Sequence, residues 1–198
     1  MGKTDSNRTL KMVTPRNHHI LEAKRMNDFS LRRAELADAS SIAEVHVRSW
    51  KNTYSGLLPQ SLLDQLDIVQ REHMWRDIIV AVDWPRSGVL VVQTAGRIVG
   101  FVFFGEDREN RDGEDGEIVA IYLLSEFIGR GLGHRMMERS LGILRETGFV
   151  RAFLWVLPDN IRARDFYESL GWRETGKFKH ESFESVEIVE VQYEFLLK

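Results

Sequence analysis

Cysteine is absent from all 198 residues. That excludes disulfides, cysteine-ligated zinc and a thiol nucleophile, so no acyl-cysteine intermediate can form. An excess of one charge is missing too. Lys and Arg number 27 against 30 Asp and Glu, a net charge of −3, which gives no reason to expect a nucleic-acid partner. Long apolar runs are lacking: no stretch approaches the length of a membrane span, and the N-terminus has no apolar signal-peptide core. The expectation is a cytoplasmic protein away from the membrane. His18 and His19 are adjacent, and adjacent side chains do not face each other on a helix, so no metal is expected. What is present is ordinary for a globular chain: 43% apolar and 29% charged residues, enough for one domain with a substantial core.

Residues 1–28 are polar and carry six basic and three acidic side chains. They read as a loosely ordered extension, and 29–198 as the domain. There the pattern is α/β. "FSLRRA" alternates like a strand, and Asp38 stands where a helix cap is wanted before "ASSIAEVHVRSW". Ala39, Ile42, Ala43, His46 and Trp50 share one helical face. Two more helical segments precede "GVLVVQ" and "RIVGFVFFG", which the turn "TAGR" joins into a hairpin. Gly100 marks a bulge or a close backbone approach. After the acidic loop "EDRENRDGEDGE", the run "EIVAIYLL" is apolar on both faces and reads as a central strand. A helix ending near Gly148, the strand "RAFLWVL", a helix capped by Asn160 and two closing strands complete the chain.

Between the central strand and the next helix lies "EFIGRGLGHRM", with glycine at 129, 131 and 133. A loop that opens a helix is suited to anions, because unpaired N–H groups and the helix dipole both favour negative charge. Arg130 adds a cation. The triphosphate loop G-x-x-x-x-G-K-[ST] is excluded, since position 134 is histidine. The dinucleotide fingerprint G-x-G-x-x-G fails on spacing. A tight turn with no ligand stays open on these residues alone.

"IYLLSEFIGRGLGHRMM" followed by "LWVLPDNIRARDFYESLGWRETG" resembles the GNAT superfamily of acetyl-CoA-dependent N-acetyltransferases. "HVRSWKNTYSGLLP" is similar to the first helix and following loop of many members. The resemblance implies a mixed α/β (α+β) fold. Its central sheet, of about seven mostly antiparallel strands, is flanked by helices and splayed at the cofactor site. It also implies acetyl-CoA as co-substrate, a small-molecule or peptide amine as acceptor, and a monomer or homodimer. The family loop [RQ]-x-x-G-x-[GA] corresponds to Ile128, Gly129, Arg130, Gly131, Leu132 and Gly133, with Ile128 where Arg or Gln is usual; His134 adjoins the phosphates. A non-catalytic coenzyme A-binding or sensor protein of the same fold is the alternative that Ile128 favours.

The resemblance assigns the pantetheine arm to the main chain at Ile121 and Leu123, with Tyr122 exposing its backbone as well. An N–H near Leu123 is then the oxyanion donor. Tyr167, in "FYESLGW", becomes the acid that protonates the departing thiolate; otherwise it is an aromatic packed on its helix. Asn160 contacts the coenzyme or simply caps. Glu117 is the candidate base for the amine's proton, although it ends a run of acids that reads equally as a solvated loop. Trp50 and Tyr54 would line the acceptor site, with His46 near them or in the core.

Overall fold

The computed structural model describes residues 29–109, 113–183 and 186–197. The expected extension at 1–28 lies outside them. Seven strands form one sheet in the order β1-β2-β3-β4-β5-β7-β6. They are β1 (Phe29–Arg33), β2 (Gly88–Thr94), β3 (Arg97–Glu106), β4 (Asp115–Leu123), β5 (Arg151–Val156), β6 (Arg173–Phe183) and β7 (Val186–Leu196). All pairs are antiparallel except β4 with β5. The helices are α1 (Ala39–Thr53), α2 (Gln60–Asp64), α3 (Ile68–Ala81), α4 (Leu132–Glu146) and α5 (Ile161–Ser169). The mixed α/β architecture and the central place of β4 are as the sequence implies.

The hairpin forms where "TAGR" places it, with Ala95 and Gly96 both at positive φ. Gly100 has both features expected of it. The β2–β3 register slips beside it, and a Cβ there would meet the Tyr122 carbonyl oxygen at 2.9 Å. Asp38 departs from expectation. Its carboxylate accepts from Arg32 at 2.6 and 2.9 Å and from the Glu35 N–H at 2.8 Å, so it closes the preceding 3-10 turn and leaves α1 without a side-chain cap.

Side chains alternate between the faces of a sheet, and the two faces here are covered by different helices. Trp75 of α3 and His46 of α1 pack on Phe101, with ring centroids 4.7 and 5.8 Å away. Leu144 of α4 lies on the opposite face, where its methyls would be 3.1 Å from a Cβ at Gly116. Gly116 therefore lets α4 press against the middle of the sheet. No helix among the described residues is long and apolar enough to cross a membrane.

His46 belongs to this core. It is 7% exposed, its Nδ1 accepts from the Trp75 indole N–H at 3.1 Å, and its ring stacks on Tyr122. Burial, with help from the Arg71 charge, lowers its pKa to about 3. Folded His46 is thus neutral, while the unfolded chain takes up a proton near the ordinary value of about 6.5. Its contribution to stability is full above that value and is lost as pH falls toward 3, with a limiting slope of about 1.4 kcal/mol per pH unit. His46→Asn keeps an acceptor for Trp75 but removes the titration. Denaturant unfolding from pH 7 to pH 4 should show wild type losing stability faster than the variant.

Candidate active site

β4 and β5 are paired only from Asp115 to Glu117, opposite Arg151 to Phe153. Beyond Glu117 the strands part, and β4 runs on to Leu123 beside β3 alone. The register slips at this point: Phe103 faces Ala120 and Phe104 faces Ile118, so Val119 is the extra residue of a bulge. The alternation of antiparallel bonds then decides which groups look into the gap. Leu124 N–H donates to the Val99 carbonyl at 2.9 Å. Two residues back, Tyr122 turns its main-chain N–H and C=O to β3, and those of Ile121 and Leu123 point toward β5. The main-chain groups of Ile121 and Leu123 thus face the gap. Tyr122 differs: its main chain is taken by β3, and it reaches the gap by its side chain.

The gap opens into a cavity of about 730 Å³. Its lining includes Ile121, Tyr122, Leu123, Ile128, Gly129, Gly131, Gly133, His134, Asn160 and Tyr167 of the expected donor-side residues, and Tyr54 of the acceptor-side ones. Trp50, Arg130 and Glu117 lie outside that lining. Trp50 stands one layer back, edge-on to Tyr54 at 4.9 Å and packed with Val47, Leu63 and Leu66. The Arg130 guanidinium folds back over Phe127, 5.0 Å from its ring, and donates to the Glu126 carbonyl at 2.8 Å. What Arg130 offers the loop is its main chain.

Gly129 and Gly131 both adopt left-handed φ, +78° and +74°, and a Cβ on either would point into open space. Their requirement is conformational. Gly133 is different: it lies within α4, where a Cβ would meet the Phe166 ring at 3.3 Å, so its smallness serves the contact between α4 and α5. The first intrahelical bond of α4 runs from Arg135 N–H to the Gly131 carbonyl at 3.1 Å. The N–H groups of Leu132, Gly133 and His134 therefore have no intrahelical acceptor, and they open beside the cavity, an arrangement suited to an anion.

Across the cavity stands α5. Asn160 caps it, accepting from Ala163 N–H at 3.3 Å, and also lines the cavity. Tyr167 is 8% exposed, set among Phe166, Trp172 and Tyr193. Its hydroxyl has no hydrogen-bond partner among the described residues. Burial, reinforced by the fields of Tyr54 and Glu190, pushes its pKa well above the ordinary phenol value, so it holds its proton. Tyr54 and Tyr122 join their hydroxyls at 3.0 Å, and both are likewise kept neutral by burial.

Glu117 is not in a solvated loop. It is 1% exposed inside β4, and Arg108 grips both its oxygens: Nη2 donates to Oε1 at 2.6 Å, Nε to Oε2 at 2.8 Å, and the Arg108 main-chain N–H to Oε2 at 3.2 Å. Asp115, two residues earlier, is held in the same two-pronged way by Arg151 at 2.9 and 2.7 Å. The acidic run thus contains two structural ion pairs that brace β4 just where it parts from β5. The sequence reading passed over Val119, Met136, Trp155 and Phe166, which also line the cavity. Only the period of α4 and α5 signalled Met136 and Phe166, and that signal says "core".

A sheet split beside a glycine loop that opens a helix, with a buried phenol facing the split, defines an acyl-transfer class of site. Residues 47–172 match the Acetyltransferase (GNAT) family, and the chain belongs to that family of acyltransferases. It is 36% identical over 132 residues to the uncharacterized N-acetyltransferase YuaI of Bacillus subtilis (strain 168), covering 66% of this chain and 73% of that one. Solved structures share the fold. The PaiA N-acetyltransferase of Thermoplasma acidophilum, in complex with coenzyme A, superposes with a TM-score of 0.65 at 19% identity, over 85% of this chain and 98% of that one. YncA of Salmonella typhimurium, with its cofactor acetyl-CoA, gives 0.62 at 20% identity over 87% and 95%.

The two kinds of glycine in this region should respond oppositely to alanine. Gly131→Ala puts a Cβ at φ +74° and should cost about 1–2 kcal/mol. Gly142 sits inside α4 with open space around its Cβ and no positive φ, so Gly142→Ala should stabilise by about 0.4–1 kcal/mol. Urea unfolding of the two variants checks both signs.

Proposed function

We propose that the chain transfers an acetyl group from acetyl-CoA to a primary amine by direct attack. The observation that carries this reading is the meeting of three features in one cavity: the unpaired edge of β4, the left-handed glycines before α4, and the unpartnered Tyr167 hydroxyl. Acetyl-CoA fits this donor set. Its pyrophosphate suits the N–H groups of Leu132, Gly133 and His134. Its pantetheine amides suit the main-chain groups of Ile121 and Leu123, which otherwise lack a strand partner. The co-substrate supplies a thioester whose carbonyl carbon the amine attacks, the C–N bond forming as the C–S bond breaks.

The protein's own groups then have defined tasks. The Leu123 N–H points into the gap and serves as a fixed donor to the carbonyl oxygen as it gains charge. Tyr167 holds a proton at Oη and gives it to the leaving sulfur. Asn160 keeps its amide N–H₂ for the co-substrate, since capping occupies only its oxygen. Ile128 lines the cavity with an apolar side chain, so at the position where the family has Arg or Gln the main chain alone binds. Tyr54 and Tyr122 form the acceptor-side wall. The acceptor is a small-molecule or peptide amine.

Binding and chemistry are tested separately. Acetyl-CoA and coenzyme A should each raise Tm, by linkage worth about 2.7 kcal/mol at a hundredfold excess over Kd, and ATP and NADH should not. Stabilisation by ATP without stabilisation by acetyl-CoA would overturn the co-substrate. Tyr167→Phe keeps the ring's packing and removes the acid. Its loss should fall on kcat, toward the low end of about 10²–10⁴-fold, with coenzyme affinity unchanged. Full kcat in a variant whose chemical step limits turnover would make the hydroxyl structural.

A further inference from the structure

A second cavity, of about 530 Å³, abuts the first. Arg151, Phe153, Trp155, Lys179 and Gln192 are among its lining residues, and Trp155 lines both cavities. Lys179 lies over the Trp155 ring, its Nζ 4.8 Å from the centroid. The same Nζ is 3.3 Å from Glu190 Oε2 and 2.6 Å from Glu181 Oε1. Lys179 and Glu190 are directly opposed on β6 and β7, so they share a face, and Gln192, opposite Trp155, shares it too. Glu190 therefore stands on the face that carries Trp155, beside the Lys179 that covers its ring.

One ammonium, that of Lys179, serves two carboxylates, those of Glu181 and Glu190. The guanidinium of Arg108 also acts on Glu190 but is bonded to Glu117. Among the described residues, Glu190 thus shares its ammonium with a second carboxylate. The field of Glu190 is felt at Tyr54 from α1 and at Tyr167 from α5, the two phenols that line the donor cavity. Among the described residues, the titratable and charged groups that interact with Glu190 are these two, with Lys179 and Glu181 from β6 and Arg108 from the segment after β3. Its side chain is 23% exposed, and burial raises its pKa against the pull of Lys179. Glu117 lacks this freedom, since both its oxygens are held by Arg108.

We propose that Glu190 receives the acceptor's ammonium group and takes its proton. The inference rests on the amine-acetylation reading above. The step is a proton transfer: the ammonium N–H bond breaks, an O–H bond forms on the Glu190 carboxyl, and the electron pair stays on nitrogen, ready to attack. The carboxyl then returns the proton to solvent. A base works in its deprotonated form, so the rate should rise with pH through the pKa of Glu190. That value lies above the ordinary glutamate value of about 4.3.

The experiment measures kcat/KM against pH for wild type, Glu190→Gln and Glu190→Asp. The amines are spermidine, L-lysine and an alanine-terminated peptide, and the Tm rise with coenzyme A is recorded for each protein. Expected is a loss of about 10²-fold or more in Glu190→Gln, disappearance of the acid limb, and partial return of both in Glu190→Asp, with the coenzyme A effect intact. Retention of rate and acid limb in Glu190→Gln, with wild type active, overturns Glu190 alone. A rise in KM with kcat and the limb unchanged overturns proton transfer. A wild type that binds coenzyme A but turns over none of the amines overturns the acetyltransferase reading and the role of Glu190 with it.

Discussion

β4 has two hydrogen-bonded neighbours as far as Glu117 and one from there on. A main-chain N–H or C=O left without a partner in a buried place costs about 1–3 kcal/mol, so a strand so placed normally closes on its neighbour. Here closure is resisted from several sides. The bulge at Val119 turns the strand, and the Arg108–Glu117 and Arg151–Asp115 pairs brace the last shared residues. α4 presses on Gly116 from behind. The open edge is therefore a standing demand for hydrogen bonds, which water meets imperfectly and an amide-bearing ligand meets well. The glycine loop and α5 take their places relative to that edge.

The wall facing the edge is aromatic and stiff. His46, Trp75, Phe101, Tyr122, Trp50 and Tyr54 touch in a chain that crosses from α1 and α3 to the sheet. His46 is its centre. As a neutral ring bonded to Trp75 it links both helices to Tyr122, and it does so only while it remains unprotonated.

Element order, the hairpin, the central strand and the glycine loop were legible because each has a local signature: period, turn residues, or a helix start after glycines. The direction of the main chain in β4 was not, because the bulge at Val119 leaves no trace in "EIVAIYLL" yet decides which residues face the gap. Trp50 and Tyr54 show a second limit. They are four apart on the sequence and both aromatic, and both pack against the cluster of Val47, Leu63 and Leu66, yet only Tyr54 lines the cavity. Arg130 and Glu117 show a third. A charge looks available until its partner is known, and the partners here are a carbonyl four residues back and an arginine in what reads as a loop. Glu190 passed unnoticed because an acid in an alternating strand such as "VEIVEVQYEF" is ordinarily a solvated one.

The hydrogen bond between Tyr54 and Tyr122 bears on how many donors this wall of the cavity can present. Two neutral phenols carry two protons, and one of these is consumed between the oxygens. A guest therefore meets a single outward O–H together with lone pairs, whichever ring is the internal donor. Reversing that choice moves the outward proton from the end of α1 to β4 without any atom heavier than hydrogen changing place. The wall can thus suit guests whose polar groups are arranged in two different ways, while its rings stay in one packing.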